Sequence, residues 1–334
     1  MMKKDKNSWY EKLLALPKPV IYIVMFFVVA FPVLFKMQIS TYVTDEVQRI
    51  YDHMEELYRF NQENPDNKMA IFIAFDYDPA TMAELDPMAF ATLRHAFLRG
   101  IPVIAWSGLP TGVDLGEQNM HMIAKDYGAV YGKDYVFLGY GYPFVQAIIA
   151  LATDVKTFFA SDKAGNDTRD LPLLKNIYNF NRIGLVFSLS GTSYPESWVT
   201  YANGLYGKKV ITGSTAVSAA KYYPFLQTNQ MVGLMGGLKG AAEYEQLVEQ
   251  LEKKLNGNET KMYLETLYEG KDLSQYNQAY YKPSFTPEEI QLSLVRRSTA
   301  RQGMAPQATA HFYVIILIII GNIAYFARMR NSKR

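Results

Sequence analysis

The sequence predicts an α/β protein: a Rossmann-like or flavodoxin-like parallel sheet with crossover helices, held between amino- and carboxy-terminal transmembrane helices. Three observations point there. Short β-branched and aromatic runs alternate with helical stretches from Met69 onward, Gly closes several of those helices, and two nearly charge-free apolar runs flank the alternating part. Such alternation is how a parallel sheet with crossover helices is written in a chain.

Residues 1–18 form a basic tail with Lys3, Lys4, Lys6, Lys12 and Lys18, and residues 19–35 the first span, with Trp9 and Tyr10 suited to the headgroup layer. At ~1.5 Å rise per residue the run is just long enough to cross the hydrocarbon core. A cleaved signal peptide is the competing reading, with Val28-Val29-Ala30 as a weak cleavage site. However, Phe31-Pro32-Val33-Leu34-Phe35 follows where a polar stretch is expected, which favours an anchor. Within residues 36–64, Ile39, Val43, Val47, Ile50, Met54 and Leu57 recur at spacings of four and three, a helix with one apolar seam. The seam is short for an independent coiled coil, so it packs on the chain's own domain or, alternatively, on a second copy.

The α/β domain occupies residues 65–256. Strands are expected over Met69–Phe75, Pro102–Trp106, Tyr135–Leu138, Ile183–Leu189 and Lys209–Thr212. Between and after them, helices are expected over Pro87–Leu98, Leu115–Tyr127, Phe144–Phe158, Pro195–Leu205 and Ala216–Leu226, with an exposed excursion over Ala160–Leu174. A last helix begins at Leu238 and stops at Asn256-Gly257-Asn258. Residues 257–310 form a Tyr-rich connector in which Thr286-Pro287-Glu288-Glu289 starts a helix as cap, N1 and N3, and a Gly/Pro-containing linker then leads to the second span, residues 311–327. Residues 328–334 are a basic tail. The positive-inside rule then puts both termini in the cytoplasm of a two-pass cell-membrane protein, with an extracytoplasmic middle. Arg296, Arg297 and Arg301 argue the other way, although long translocated domains are largely exempt from the rule. In the second span Asn322 offers a helix-to-helix hydrogen bond and Gly321 a close approach.

Composition sets limits. The chain has 334 residues, 34 Lys+Arg against 32 Asp+Glu, 49% hydrophobic residues and no Cys, with a mean hydropathy of −0.09. These values exclude a polytopic transporter and disordered, collagenous or disulfide-stapled classes, and the charge balance speaks against nucleic acid as a partner.

The expected strand ends are small and polar: Asp76-Tyr77-Asp78, Ser107-Gly108-Leu109-Pro110-Thr111-Gly112, Gly139-Tyr140-Gly141, Ser188-Leu189-Ser190-Gly191, and Thr212-Gly213-Ser214-Thr215. In an open parallel sheet such loops gather along one edge, where ligands bind at the switch in strand order. The plain alternative is that short βα loops use these residues for turning and capping. Read as a site, they make Asp76, Asp78, Ser107, Thr111, Ser188, Ser190 and Ser214 the candidates for a small polar or anionic ligand, with Lys239 as countercharge.

Asp76 and Asp78 at i and i+2 past a strand are weak candidates for a hard cation, similar to the start of haloacid-dehalogenase-type phosphatases or the Asp-x-Asp of some glycosyltransferases. Thr81 stands one residue late for the phosphatase pattern, and no later Asp-Asp pair completes a metal site. Nucleotide motifs fail: Phe144 replaces a third Gly after Gly139-x-Gly141, and Gly233 to Gly240 lacks Gly-Lys-Ser/Thr. The four His show no metal spacing, and no nucleophile elbow is present. No cofactor is expected.

Four segments, Phe75 to Pro79, Leu109 to Gly112, Lys221 to Gln227 and Gly233 to Glu245, resemble an uncharacterised family of bacterial membrane-anchored proteins with a Rossmann-like extracytoplasmic domain. The resemblance covers half the chain and implies location and fold but no activity. The expected function is a double-anchored envelope protein whose outer domain is a binding or assembly module, partnered by the bilayer and by copies of itself or other subunits of a membrane complex. The alternative is a metal-dependent envelope hydrolase or transferase acting near Asp76 and Asp78. A sensor is disfavoured by the short tails.

Overall fold

The computed structural model describes residues 8–256 and 286–332. The Tyr-rich connector lies mostly outside them. The chain divides into two compact units, Ser40–Ala300 and a second made of Met1–Ile39 with Arg301–Arg334.

In the second unit, α1 (Trp9–Leu14) precedes α2 (Lys18–Leu34), and the last helix of the chain, Thr299–Ser332, supplies the remainder. The last helix and α2 run antiparallel side by side: Thr309 Oγ1 donates to Val28 O (3.2 Å) and Tyr313 Oη to Ile21 O (3.0 Å), while Arg328 pairs with Glu11 (3.3 Å). The last helix is long and apolar enough to cross a membrane, and its 18-residue window has mean hydropathy 2.0. Helix α2, with 17 residues, is shorter, about 26 Å at 1.5 Å per residue. Where a linker was expected, Pro306 sits inside the continuous last helix. A Pro removes one N–H and one turn's bond, and a long helix continues past that loss.

In the α/β unit the order is α3 (Asp45–Glu63), β1 (Ala70–Asp76), α4 (Met82–Leu98), β2 (Val103–Ser107), α5 (Pro110–Tyr127), β3 (Tyr135–Tyr140), α6 (Phe144–Thr153), α7 (Val155–Phe158) and α8 (Pro172–Asn176). There follow β4 (Ile183–Ser190), α9 (Tyr194–Ser197) running through a π-helical stretch (Trp198–Asn203) into α10 (Gly204–Tyr206), and β5 (Val210–Ser214). The unit closes with α11 (Ala216–Ala219), α12 (Tyr223–Gln227), β6 (Gly233–Gly236), α13 (Gly237–Asn256) and α14 (Pro287–Arg296); the last helix of the chain is α15 (Thr299–Ser332).

Six strands form one parallel sheet in the order β3-β2-β1-β4-β5-β6. The order reverses between β1 and β4, which is the Rossmann arrangement with its switch point there. β1 is buried at all seven positions, as expected of a strand covered on both faces. One face packs Phe72, Trp106, Val136, Val186 and Val210 beneath Trp198 and α6. The other lies under α4, α5 and α13.

The predicted apolar seam packs inside the unit from Val47 onward only, since the helix begins at Asp45 and leaves Ile39 and Val43 outside it and half-buried. Val47, Ile50, Met54 and Leu57 of α3 are buried, and α3 lies across β6 and β4. A Cβ at Gly233 would stand 2.3 Å from Ile50, so the close approach of α3 to β6 requires Gly there. β6 is a strand that the sequence reading passed over as a Gly-rich helix entry. Its four residues carry too little apolar pattern, and pairing to β5 defines it. Helix boundaries also differ: α4 starts at Met82 with Pro87 inside, and Asp154 splits the helix expected over Phe144–Phe158 by capping Lys156 N.

Two ionic networks, one partly buried and one buried, hold the flanking helices of this unit. On α3, Glu55 accepts from His95 Nε2 (2.9 Å) and from Arg99 Nε (2.8 Å). Burial alone would raise the Glu55 carboxyl, but these hydrogen bonds and charges hold it down at about 2. Burial keeps His95 below its ordinary value. A neutral ring protonated at Nε2 donates to Glu55 and accepts from Tyr244 Oη at Nδ1 (2.8 Å). At the carboxyl end of α14, the guanidinium of Arg94 from α4 reaches Glu252 (3.0 Å), Tyr127 Oη (3.1 Å) and the carbonyl of Arg297 (2.8 Å), while Arg297 also pairs with Glu252. Arg296 adds a bidentate contact with Asp126 (3.0 Å to each oxygen). Thr286 and Glu289 form the predicted reciprocal cap.

Removing Glu252 would leave Arg94 and Arg297 buried without their shared counter-charge. Glu252→Gln is expected to cost about 3–5 kcal/mol in urea unfolding, the usual loss when one partner of a buried pair is removed. Asp167→Asn at the exposed Arg169 pair is expected to change little. Equal effects of the two would show that the network does not lock α14.

Candidate functional site

Parallel pairing brings the carboxyl ends of β1, β4 and β5 together in two rows. Asp76, Ser190 and Ser214 are partners in one row; Ala74, Ser188 and Thr212 are partners two residues earlier. Because side chains alternate faces, both rows point to the same side of the sheet, the side covered by Trp106 and Trp198. Asp76, Ser188, Ser190, Thr212 and Ser214 are all fully buried.

Several of these groups lack partners. Among the described residues, Asp76 Oδ2, Ser188 Oγ, Thr212 Oγ1, Ser214 Oγ, Trp106 Nε1 and Trp198 Nε1 are buried without a hydrogen bond of ordinary geometry, with the Trp198 indole beside Asp76 and the Tyr222 hydroxyl beside Ser214. Buried polar groups are nearly always paired, since each unmade bond costs about 1–3 kcal/mol. A second, smaller set, on Arg296 and Arg297, lies in the α14 network; the larger set is at the switch point.

Asp76 Oδ1 accepts from Gly108 N (2.6 Å), and a Cβ at residue 108 would stand 2.3 Å from the Phe144 ring. Gly is therefore the residue that lets this loop reach the carboxylate. Burial pushes the Asp76 carboxyl up to about 7, opposed by the Gly108 N–H and by the nearby Trp198 indole, which stops short of a hydrogen bond. Tyr194 roofs the loop: its hydroxyl donates to Gly108 O (3.1 Å) and its ring packs on Phe144 with centroids 4.6 Å apart. Ser190 Oγ is engaged locally with Thr192 N and Thr192 Oγ1, both 3.0 Å away.

The remaining sequence-predicted residues go elsewhere. Asp78 caps its own turn through Ala80 N (3.1 Å). Ser107, on the opposite face from Trp106, shares its proton between Phe75 O (2.6 Å) and Leu109 O (2.7 Å) and accepts from Leu109 N (3.1 Å). Thr111 is exposed on the first turn of α5. Lys239 turns to Glu243, which also accepts from Thr44, so the expected countercharge is committed to α3 and α13. The amino end of α11 already holds a carboxylate, with Glu84 Oε2 accepting from Ala216 N (2.8 Å). Among the described residues no group of three or more His, Asp or Glu converges, so Asp76 and Asp78 gain no third ligand.

Sequence reasoning missed Thr212 as a site residue, along with Trp198, Tyr194 and Gly108. Ser188/Ser190 and Thr212/Ser214 each stand at i and i+2 in strands otherwise apolar, and that polar stripe was the available signal. A cleft of about 410 Å³ lies at the opposite, amino-terminal edge, lined by Lys68, Phe97, Ile101 and Arg182 among others. There Asp134 is bonded to Val130 N and Arg182 to Asn67, so the unsatisfied chemistry marks the carboxyl edge instead.

An unfolded Asp loses its proton near 3.8 while native Asp76 keeps it to about 7, so the native state binds the extra proton between those values. The stability that this gives is full below about pH 4 and is lost as pH rises through about 7. Asp76→Asn keeps an acceptor for Gly108 and abolishes the titration. The difference in unfolding free energy between variant and parent is expected to move in favour of the variant by up to ~4 kcal/mol across that interval. Urea titrations at several pH values read it, and a flat difference would place Asp76 in a normal environment.

Compared with known proteins, the chain matches no family model and no curated protein.

Proposed function

We propose that this chain is a membrane-anchored binding module whose Rossmann-type unit receives a small polar ligand at the β1/β4 switch point. The observation that carries it is the set of unpartnered buried polar atoms on the ends of β1, β4 and β5. A purely structural domain gains nothing from leaving them unpaired. The reading as a metal-dependent hydrolase or transferase has less support, because Asp78 is spent on its own turn and no third carboxylate or His joins Asp76.

The anchor is α15, and we extend it to a two-pass arrangement with α2 as its antiparallel partner. Tyr22, Ile23, Phe26, Phe27 and Phe31 on α2, and Phe312, Ile315, Ile316 and Ile319 on α15, are exposed, an apolar surface suited to lipid. Antiparallel pairing leaves the two basic chain ends on one side, the cytoplasmic side by the positive-inside rule, with the α/β unit in the envelope. Asn322 is exposed on α15 and offers a contact to a second copy or to other subunits of a membrane complex. The seam of α3 is covered and offers none.

Protease added outside intact spheroplasts is expected to digest the α/β unit and to spare tags at both termini. Protection of the α/β unit would reverse the orientation, and release of the chain into the soluble fraction would remove the anchors. Binding is read separately: a ligand at ~100 times its dissociation constant should raise the stability of the detergent-solubilised chain by about 2.7 kcal/mol, and Asp76→Asn should reduce that gain.

A further inference from the structure

We propose that the ligand is a neutral saccharide, a sugar hydroxyl answering the unpartnered groups around Asp76 and a sugar ring lying on the Tyr140–Tyr142 pair. This rests on the reading of the carboxyl edge as a ligand seat and names the class of molecule that fits it.

The first argument is donor and acceptor type. Trp198 Nε1 can only donate, Asp76 Oδ2 accepts when the carboxyl is ionised and can donate while it keeps its proton, and the hydroxyls of Ser188 and Ser214 do either. An amine ligand would satisfy the acceptors and leave the indole unanswered. An anion would meet the indole but face a like charge as Asp76 ionises near pH 7, and two cations of this edge are already committed, Lys239 to Glu243 and Lys163 to Asp114 (2.9 Å). A hydroxyl donates one bond and accepts two, so a cluster of hydroxyls answers both kinds of group without charge.

The second argument is the platform. The rings of Tyr140 and Tyr142 are nearly parallel, at 6° with centroids 5.7 Å apart, and are 42% and 66% exposed. Between them Gly141 N donates to Ser107 O (2.8 Å), which ties the pair to the loop whose Gly108 holds Asp76. Tyr194 stands close enough to both Asp76 and Tyr140 for each to raise its hydroxyl pKa, after burial, which is the larger cause. Flat apolar faces with polar rims, exposed in parallel beside a buried polar seat, match the C–H face and hydroxyl rim of a pyranose.

The chain has three Trp, and in Trp9→Phe the two that remain, Trp106 and Trp198, report on the seat. With the full-length Trp9→Phe protein in detergent, fluorescence titrations with maltotriose, chitotriose, xylotriose, inorganic phosphate and spermidine test the proposal. A saturable change with at least one of the three sugars is expected. Tyr140→Ala/Tyr142→Ala, which removes only exposed rings, should weaken it tenfold or more with Tm unchanged. Sugar affinity unaltered by that pair overturns the platform. A response to phosphate or spermidine alone overturns the saccharide and keeps the seat. If no probe responds, the saccharide falls by itself where Asp76→Asn shows the expected pH dependence, and the seat falls with it where that dependence is flat.

Discussion

The burial of β1 on both faces and both sides is the constraint from which the α/β unit follows. Its seven residues are fully enclosed between β2 and β4, and the strand ends in an Asp rather than in a residue that can reach water. The Gly108 N–H fastens one carboxylate oxygen and leaves the other bare. Strand order then fixes the neighbours: β4 and β5, arriving on the far side of the switch, put Ser190 and Ser214 in the same row as Asp76. The site is the consequence of one buried strand ending in a charge at the place where the topology reverses.

The sheet was legible because parallel strands covered on both faces are written as continuous apolar runs. Five strands were read at nearly their true positions, yet each was ended early, at Phe75, Trp106, Leu138, Leu189 and Thr212. The ladder continues to Asp76, Ser107, Tyr140, Ser190 and Ser214. Hydrophobic pattern stops at the first polar residue, whereas pairing stops where the neighbouring backbone leaves, and Asp76, Ser190 and Ser214 of the candidate site occupy the difference. β6 was illegible for a related reason. Gly233-Leu234-Met235-Gly236 has little pattern of its own, and its Gly233 reflects the Ile50 side chain of α3, distant in sequence. Roles of single side chains were harder still: Lys239 and Asp78 had the right chemistry in the right loops, and local partners, Glu243 and Ala80, claimed them.

How the fold treats its other buried carboxylates sharpens the meaning of Asp76. Glu252 has two guanidinium groups and a Tyr hydroxyl, Asp126 has Arg296 and Ser293, and Glu243 has Lys239 and two donors from Thr44. Each of those sites sits where helices must be held together, and breaking such a pair is expensive. Asp76 is as deeply buried and receives one backbone N–H and no cation. Asp162, also buried and without a cation, is answered by three donors from Tyr131 and Asn166, so what sets Asp76 apart is its single hydrogen bond rather than the missing charge. Perturbed carboxyls of this kind concentrate where a protein meets its ligand.

A bare carboxyl among bare hydroxyls also costs stability, and the surroundings show where that cost is absorbed. The six-stranded parallel ladder, the aromatic cluster of Phe72, Trp106 and Trp198, and the networks centred on Glu55 and Glu252 fix the sheet and its helices without drawing on the Asp76 row. The backbone of β1, β4 and β5 is held by its own pairing whether or not those side chains are satisfied, so the row is pre-positioned. Over the loop, Tyr194 is held by one hydrogen bond to Gly108 O and by its ring on Phe144. Groups held in place before binding give more affinity per contact than groups that must be ordered by it, and on that ground a rigid, unsatisfied row is better suited to recognition than to holding a fold together.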